Sequence, residues 1–181
     1  LDFIDCADAA GFDGIGLRLN PSPGLPFHPV AGDAALVRAI RTRLAGRGWR
    51  VHDILSFYLE PATEVARFAP ALELGAELGA RYALTIGDDP DWSRLRDNLG
   101  RLCELAAPLG ISPSVEFVPR RQLRNLGQTL RLFAETGHAN VALCVDPLHV
   151  VRSGATADDL RRLDPGLVPY TQLCDGVMEA G

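Results

Sequence analysis

The sequence predicts an α/β chain of the (β/α)8, or TIM-barrel, class with about six of its eight βα units visible. Short apolar runs rich in β-branched residues begin near 14, 49, 82, 112, 141 and 168, with helical patterns between them. That repeat of roughly 30 residues is the mark of consecutive βαβ units and a parallel sheet. Three of the runs also stop on oxygen-bearing residues: Glu116 in Ser114–Pro119, Asp146 in Val141–His149 and Gln172 in Tyr170–Asp175. In an α/β barrel, polar residues at the C-terminal ends of strands line one shared mouth. An open doubly wound sheet is the structural alternative, but no glycine-rich phosphate turn follows the first strand. One strand before Leu1 and one after Gly181 would complete a barrel, so residues 1–181 read as a single barrel domain lacking its first and last strands.

Taken in order, Asp2 to Ala10 has a helical pattern closed by Gly11. Gly14 to Leu19 is the first strand, and alternation puts Gly14, Gly16 and Arg18 on one face, toward a crowded interior. Asn20 to Val30 carries four prolines and is a loop containing His28. Asp33 is placed to cap a helix running to Gly46. The second strand, Trp49 to Leu59, carries His52 and Asp53 on opposite faces, so at most one of them, Asp53 by preference, points inward, and Glu60 follows at its end. Thr63 to Gly79 is helical, with Pro70 breaking it into two pieces. Tyr82 to Gly87 is the third strand, followed by Asp88, Asp89 and a helix capped by Asp91. After the fourth strand comes a helix carrying Leu123, Leu126, Leu130 and Phe133. In the fifth, the run stops on Asp146, and Pro147 blocks further ladder pairing. Thr156 and Asp159 form a variant capping box, and Val168 to Cys174 is the sixth strand.

Composition narrows the function. At 181 residues and 47% hydrophobic, the chain can bury one good core. A net charge of −5 and a pI near 5.3 argue against nucleic acid as a partner. No apolar run approaches the ~18 residues of a membrane span. Cys6, Cys103, Cys144 and Cys174 are scattered without a CxxC, which suggests reduced, buried thiols and a cytoplasmic setting. All 18 basic residues are arginine. Without lysine, neither Schiff-base chemistry nor a P-loop is available to this chain. The partner expected is a small-molecule substrate, with a homo-oligomer open.

The strand-end acids carry the chemistry. Glu116 shares a face with small Ser114, and Asp146 with Ala142 and Cys144, so both sit on narrow interior faces near the top. Buried carboxylates are costly alone, and a divalent cation removes that cost. Gln172 adds an amide oxygen, and an oxygen-rich set favours Mg²⁺ or Mn²⁺ over zinc. His149, three residues past Asp146, suits a proton carrier or substrate donor. Arg18 and Arg152 are candidate clamps for an anionic group. Asp53 and Glu60 are further inward-pointing candidates.

Four segments together resemble the xylose-isomerase-like barrel superfamily, and within it the sugar phosphate isomerase/epimerase group. They are Phe12-Asp-Gly-Ile-Gly-Leu17, Glu116-Phe-Val-Pro119, Asp146-Pro-Leu-His149 followed by Arg152-Ser-Gly154, and Gln172-Leu-Cys-Asp175. The resemblance implies that Glu116 and Asp146 bind a divalent metal and that His149 contacts substrate. The next strand commonly supplies a histidine where this chain has Gln172, and a glutamine there occurs in relatives that resemble dehydroshikimate dehydratases. The last ligand of that family, an eighth-strand Glu, has no match here, and Glu179 follows the sixth strand too closely to serve. The implied reaction is isomerisation or epimerisation of a sugar, sugar phosphate or hydroxy-ketone through an enediolate. A dehydratase-like lyase is the alternative. A non-catalytic binding barrel is another. The superfamily's abasic-site DNA endonucleases resemble histidine-rich, basic proteins, which four histidines and a net −5 do not fit.

Overall fold

A computed structural model describes residues 1–174 and residue 176. Asp175 and Glu179, both weighed above, lie outside the described residues. Six parallel strands form one sheet in chain order: β1 (Ile15–Arg18), β2 (Val51–Leu59), β3 (Tyr82–Gly87), β4 (Ser112–Glu116), β5 (Ala142–Val145) and β6 (Tyr170–Thr171). The helices are α1 (Asp2–Ala9), α2 (Ala34–Ala45), α3 (Ala69–Glu77), α4 (Trp92–Ala106), α5 (Leu126–Thr136), α6 (Pro147–Arg152) and α7 (Ala157–Arg161). This is the curved wall of a (β/α)8-type barrel, with helices between successive strands. No helix among the described residues is long and apolar enough to cross a membrane.

Local chemistry accounts for most boundaries. The Asp33 carboxylate accepts from Leu36 N at 2.9 Å and starts α2; Asp91 does the same for α4 through Arg94 N at 3.1 Å. Thr156 and Asp159 close a full capping box on α7. Pro70 stands in the first turn of α3, where its missing N–H costs nothing, and a 3₁₀ turn over Val65–Phe68 precedes it. The helix after β4 starts later than expected, at Leu126. Asn125 caps it through Gln128 N at 2.9 Å, so Leu123 packs from the preceding loop, fully buried. The sixth strand is shorter than its apolar run: pairing holds Cys144 beside Tyr170 and Val145 beside Thr171. Arg43 of α2 and Arg47 in the turn after it pair with Asp5, and Arg47 also with Asp8, which ties α1 down.

The core lies between the outer strand faces and the helices. Ile54, Phe57 and Leu59 of β2 are buried, as are Leu95, Leu99 and Leu102 of α4. Leu95 lies against Gly87, so the small face of β3 is turned to the helices. The closest approach of helix to sheet is at Gly75, where an added Cβ would stand 2.6 Å from Ile54 Cδ1. Gly75→Ala is therefore expected to destabilise the protein by about 1–3 kcal/mol through overpacking. Urea unfolding would measure it, and a stabilised variant would contradict this packing.

Candidate functional site

The inner strand faces carry the polar residues. Ser114 and Glu116 share the inner face of β4, and Cys144 shares that of β5 with Asp146, the residue that ends the strand. The backbone turns into α6 directly at Asp146, whose Oδ1 accepts from Leu148 N at 2.8 Å. That cap aims the other oxygen inward. Asp146 Oδ2 is buried with no hydrogen-bond partner among the described residues. The first turn of α6 then brings His149 over the same point. Its Nε2 lies 3.7 Å from Glu116 Oε1, and Glu116, Asp146 and His149 each offer a ligand atom within 4.8 Å of the others.

Electrostatics follow from that crowding. Burial pushes the Glu116 carboxyl up to about 7, and the neighbouring Asp146 charge adds to the rise. Burial lowers the His149 imidazole; Asp146 pulls it the other way, and Arg152 and Arg120 deepen the lowering. His149 is thus held toward its neutral, metal- or proton-accepting form. Two buried acids beside an imidazole, with one carboxylate oxygen left unpaired, suit a divalent cation. The donor set fits such an ion.

The other candidates distribute as follows. Gln172 N donates to Val145 O at 3.0 Å, so the backbone at Gln172 runs on from β6 alongside the end of β5. Gln172 also lines a cavity of about 520 Å³ bounded by α1, β1, β2 and β6. Arg152 closes α6 one turn from His149, with Nη2 3.2 Å from where a Cβ on Gly176 would sit. Arg18 shares its strand face with Gly16 and is exposed, and it makes no hydrogen bond or ion pair among the described residues. Asp53 is buried inward against Gly16, and burial raises its carboxyl. His52, expected to point away, lines the same cavity and packs on Tyr82 and Tyr170 at 5.3 and 5.0 Å. Irregular pairing between β1 and β2 breaks the strict alternation there. His28 is an exposed loop residue.

Some residues near the site were not singled out from sequence. Arg120, four residues past Glu116, acts on His149 only because the β4–α5 loop folds over the mouth. That loop is clamped by Asp88, which pairs with Arg121 at 2.7 Å and accepts from Gln122 N at 3.1 Å. Asp89, in contrast, is spent on its own helix: it accepts from Asp91 N at 2.9 Å and from Arg94 at 2.5 Å. Cys174 is exposed rather than buried. Its thiol faces the Asp146 carboxylate, which together with partial loss of water around the sulfur pushes it up to about 11. Cys6 is also exposed, whereas Cys103 and Cys144 are the buried free thiols expected.

No curated protein matches the sequence. Solved structures do match the fold. The chain is similar to the IOLI protein crystallised with a binding zinc atom (TM-score 0.75, 16% identity, covering 96% of this chain and 67% of that one). It is also similar to the probable 3-DHS dehydratase AsbF from Bacillus anthracis, involved in petrobactin synthesis (TM-score 0.75, 20% identity, 94% and 65%). A third is the 3-keto-D-glucoside 4-epimerase YcjR from E. coli (TM-score 0.78, 15% identity, 95% and 72%). The chain thus spans about two thirds of the length of these proteins, and at such identities the likeness is one of fold. The family model described as "Xylose isomerase-like TIM barrel" matches residues 4–181. With six parallel strands in barrel order and that match over nearly its whole length, the chain belongs to the xylose isomerase-like TIM barrel family.

Proposed function

We propose that the protein is a divalent-metal-dependent isomerase or epimerase of a sugar, sugar phosphate or related hydroxy-ketone. The observation that carries this reading is the convergence of Glu116, Asp146 and His149, with Asp146 Oδ2 buried and unpaired among the described residues. In this reading Glu116, Asp146 and Gln172 hold one cation, Mn²⁺ or Mg²⁺, with His149 near enough to contribute. When bound, the cation supplies positive charge beside the substrate's carbonyl and hydroxyl oxygens and makes the adjacent carbon more acidic. The remaining work falls to the chain. Asp146, fixed by its cap on α6, orients the site. Glu116 takes a proton from the carbon next to the carbonyl; delivery to the neighbouring carbon completes an isomerisation, and an epimerisation needs a second acid on the opposite face of the substrate. His149 donates to or accepts from the substrate oxygen, forming and collapsing the enediolate. Arg18 and Arg152 bind the substrate's outer groups.

A metal-dependent lyase of the dehydratase kind is the second reading. It is favoured by a glutamine, Gln172, at the end of β6, and by Arg120 and Arg152 near His149, which suit a carboxylate. The test is proton exchange in D₂O, followed by NMR with ketoses and dehydroshikimate-like acids, with Mn²⁺ or with chelator. Mn²⁺-dependent deuterium at the carbon beside the carbonyl is expected for a ketose. Dehydration of a cyclic hydroxy acid instead would favour the lyase. Neither exchange nor turnover with Mn²⁺, Mg²⁺ or Zn²⁺ would leave a non-catalytic binding barrel.

A further inference from the structure

We propose that a polar pocket at the C-terminal rim, between the ends of β1 and β2, recognises the hydroxyl-bearing tail of a neutral ketose whose carbonyl end lies at Glu116 and Asp146. The inference rests on the isomerase reading above and specifies its substrate. The pocket has a volume of about 380 Å³ and is lined by Asn20, Ser56, Tyr58, Glu60 and Thr63, among others. Asn20 lies just past β1 and Glu60 just past β2, the strand ends that a barrel turns toward its substrate.

The pocket is built, and two of its polar side chains, Asn20 and Glu60, have a group without a partner among the described residues. Asn20 N donates to Leu55 O at 3.0 Å, and Ser22 Oγ donates to Ser56 Oγ at 3.0 Å in a buried pair. Glu60 N donates to Thr63 Oγ1 at 2.8 Å, and that hydroxyl donates to Tyr58 O at 3.0 Å. These bonds fix the backbone of the rim. Yet Asn20 Nδ2 is buried with no acceptor among the described residues. The Glu60 carboxylate likewise makes no side-chain hydrogen bond or ion pair among them. A buried amide donor without a partner is costly, and a ligand oxygen relieves it. An amide donor, a carboxylate acceptor and a phenol ring together match vicinal hydroxyls, each of which both donates and accepts.

Charge argues for a neutral tail. Glu60 and Glu64 both line the pocket, and its cation, Arg67, is already bound to Glu64 at 2.8 Å. A phosphate here would meet the free Glu60 carboxylate. The pocket also borders the loop that follows Glu116. Arg121 sits 5.4 Å over the Tyr58 ring and belongs to the β4–α5 loop that follows Glu116. With strands ~4.8 Å apart, β2 and β4 are about 10 Å apart, so one small ligand touches both ends.

The test is an NMR saturation-transfer titration of the full chain with D-fructose and D-fructose 6-phosphate, with chelator and with Mn²⁺. Asn20→Ala and Glu60→Gln are each expected to weaken fructose binding by about tenfold, the loss of one good hydrogen bond. Fructose should bind the parent more tightly than its phosphate, and Glu60→Gln should narrow that gap. Equal fructose affinity in parent and both variants overturns the proposal. So does tighter binding of the phosphate by the parent, or no saturable fructose binding up to about 100 mM. Mn²⁺ affinity, measured separately by electron paramagnetic resonance, should not change in either variant. If the parent binds no Mn²⁺ but fructose still depends on Asn20 and Glu60, the metal reading fails and the subsite stands.

Discussion

Replacing Asp146 with Asn should lower divalent-metal affinity by about 100-fold or more while leaving the metal-free protein folded. Asp146 does two jobs with two oxygens. Oδ1 caps α6 through Leu148 N, and Oδ2 is buried beside Glu116 and His149 with no hydrogen-bond partner among the described residues. Asparagine keeps an acceptor for the cap but removes the charge that a cation needs. Loss of outer-shell partners alone costs 10–100-fold in metal affinity, so losing a charged ligand should cost at least as much as the upper end, about 100-fold. Asp146→Ala removes the cap as well and should cost a further ~1 kcal/mol of stability. The readout is thermal unfolding with and without Mn²⁺. At free Mn²⁺ about one hundred times its Kd, the parent gains about 2.7 kcal/mol and its midpoint rises by several degrees. Each variant should gain no more than about 0.4 kcal/mol. A parent that gains nothing at millimolar Mn²⁺, Mg²⁺ or Zn²⁺, or an Asp146→Asn protein that still gains the full shift, would remove the metal from the account.

Glu116→Gln should make the metal-free protein more stable at pH 8 and change it little at pH 4. Burial and Asp146 raise the folded-state pKa of Glu116 from 4.5 to about 7. The folded chain therefore holds this proton more tightly than the unfolded chain does. The resulting stability is fully present below pH ~4.5 and is lost as pH rises through about 7. The full difference corresponds to roughly 3 kcal/mol. Glutamine is neutral at every pH and does not lose it. Urea unfolding at a series of pH values, with chelator throughout, should show the two proteins diverging across that window. Parallel curves would mean that Glu116 is not a desolvated acid. Mn²⁺ should close the gap, because a cation beside the carboxylate favours the charged form.

The order of elements was legible because each rests on local pattern. The period of apolar runs marks strands and helices, and Asp33, Asp91 and Thr156 with Asp159 mark helix starts where the structure has them. The glycine face of β1 was legible too, since Gly16 lies against inward-pointing Asp53. Boundaries set by competition were not. The start of α5 depends on which residue caps it, and the length of β6 on how far β5 continues beside it. The strict alternation applied to His52 failed because a register irregularity is a property of two strands together.

The parallel α/β class and the candidates Glu116, Asp146, His149 and Gln172 can be read without coordinates, because strand ends and the short spacing from Asp146 to His149 are local facts. Only the tertiary structure decided that β4 and β5 lie side by side, so that two acids separated by 29 intervening residues and an imidazole share one point. It also brought Arg120 and Cys174 close to that point and left the Asn20 amide without a partner among the described residues. The physical reason is that burial and proximity between strands are set by how the whole sheet curls and packs. No local pattern encodes them, and they are what raise Glu116 and leave Asp146 Oδ2 without a partner among the described residues.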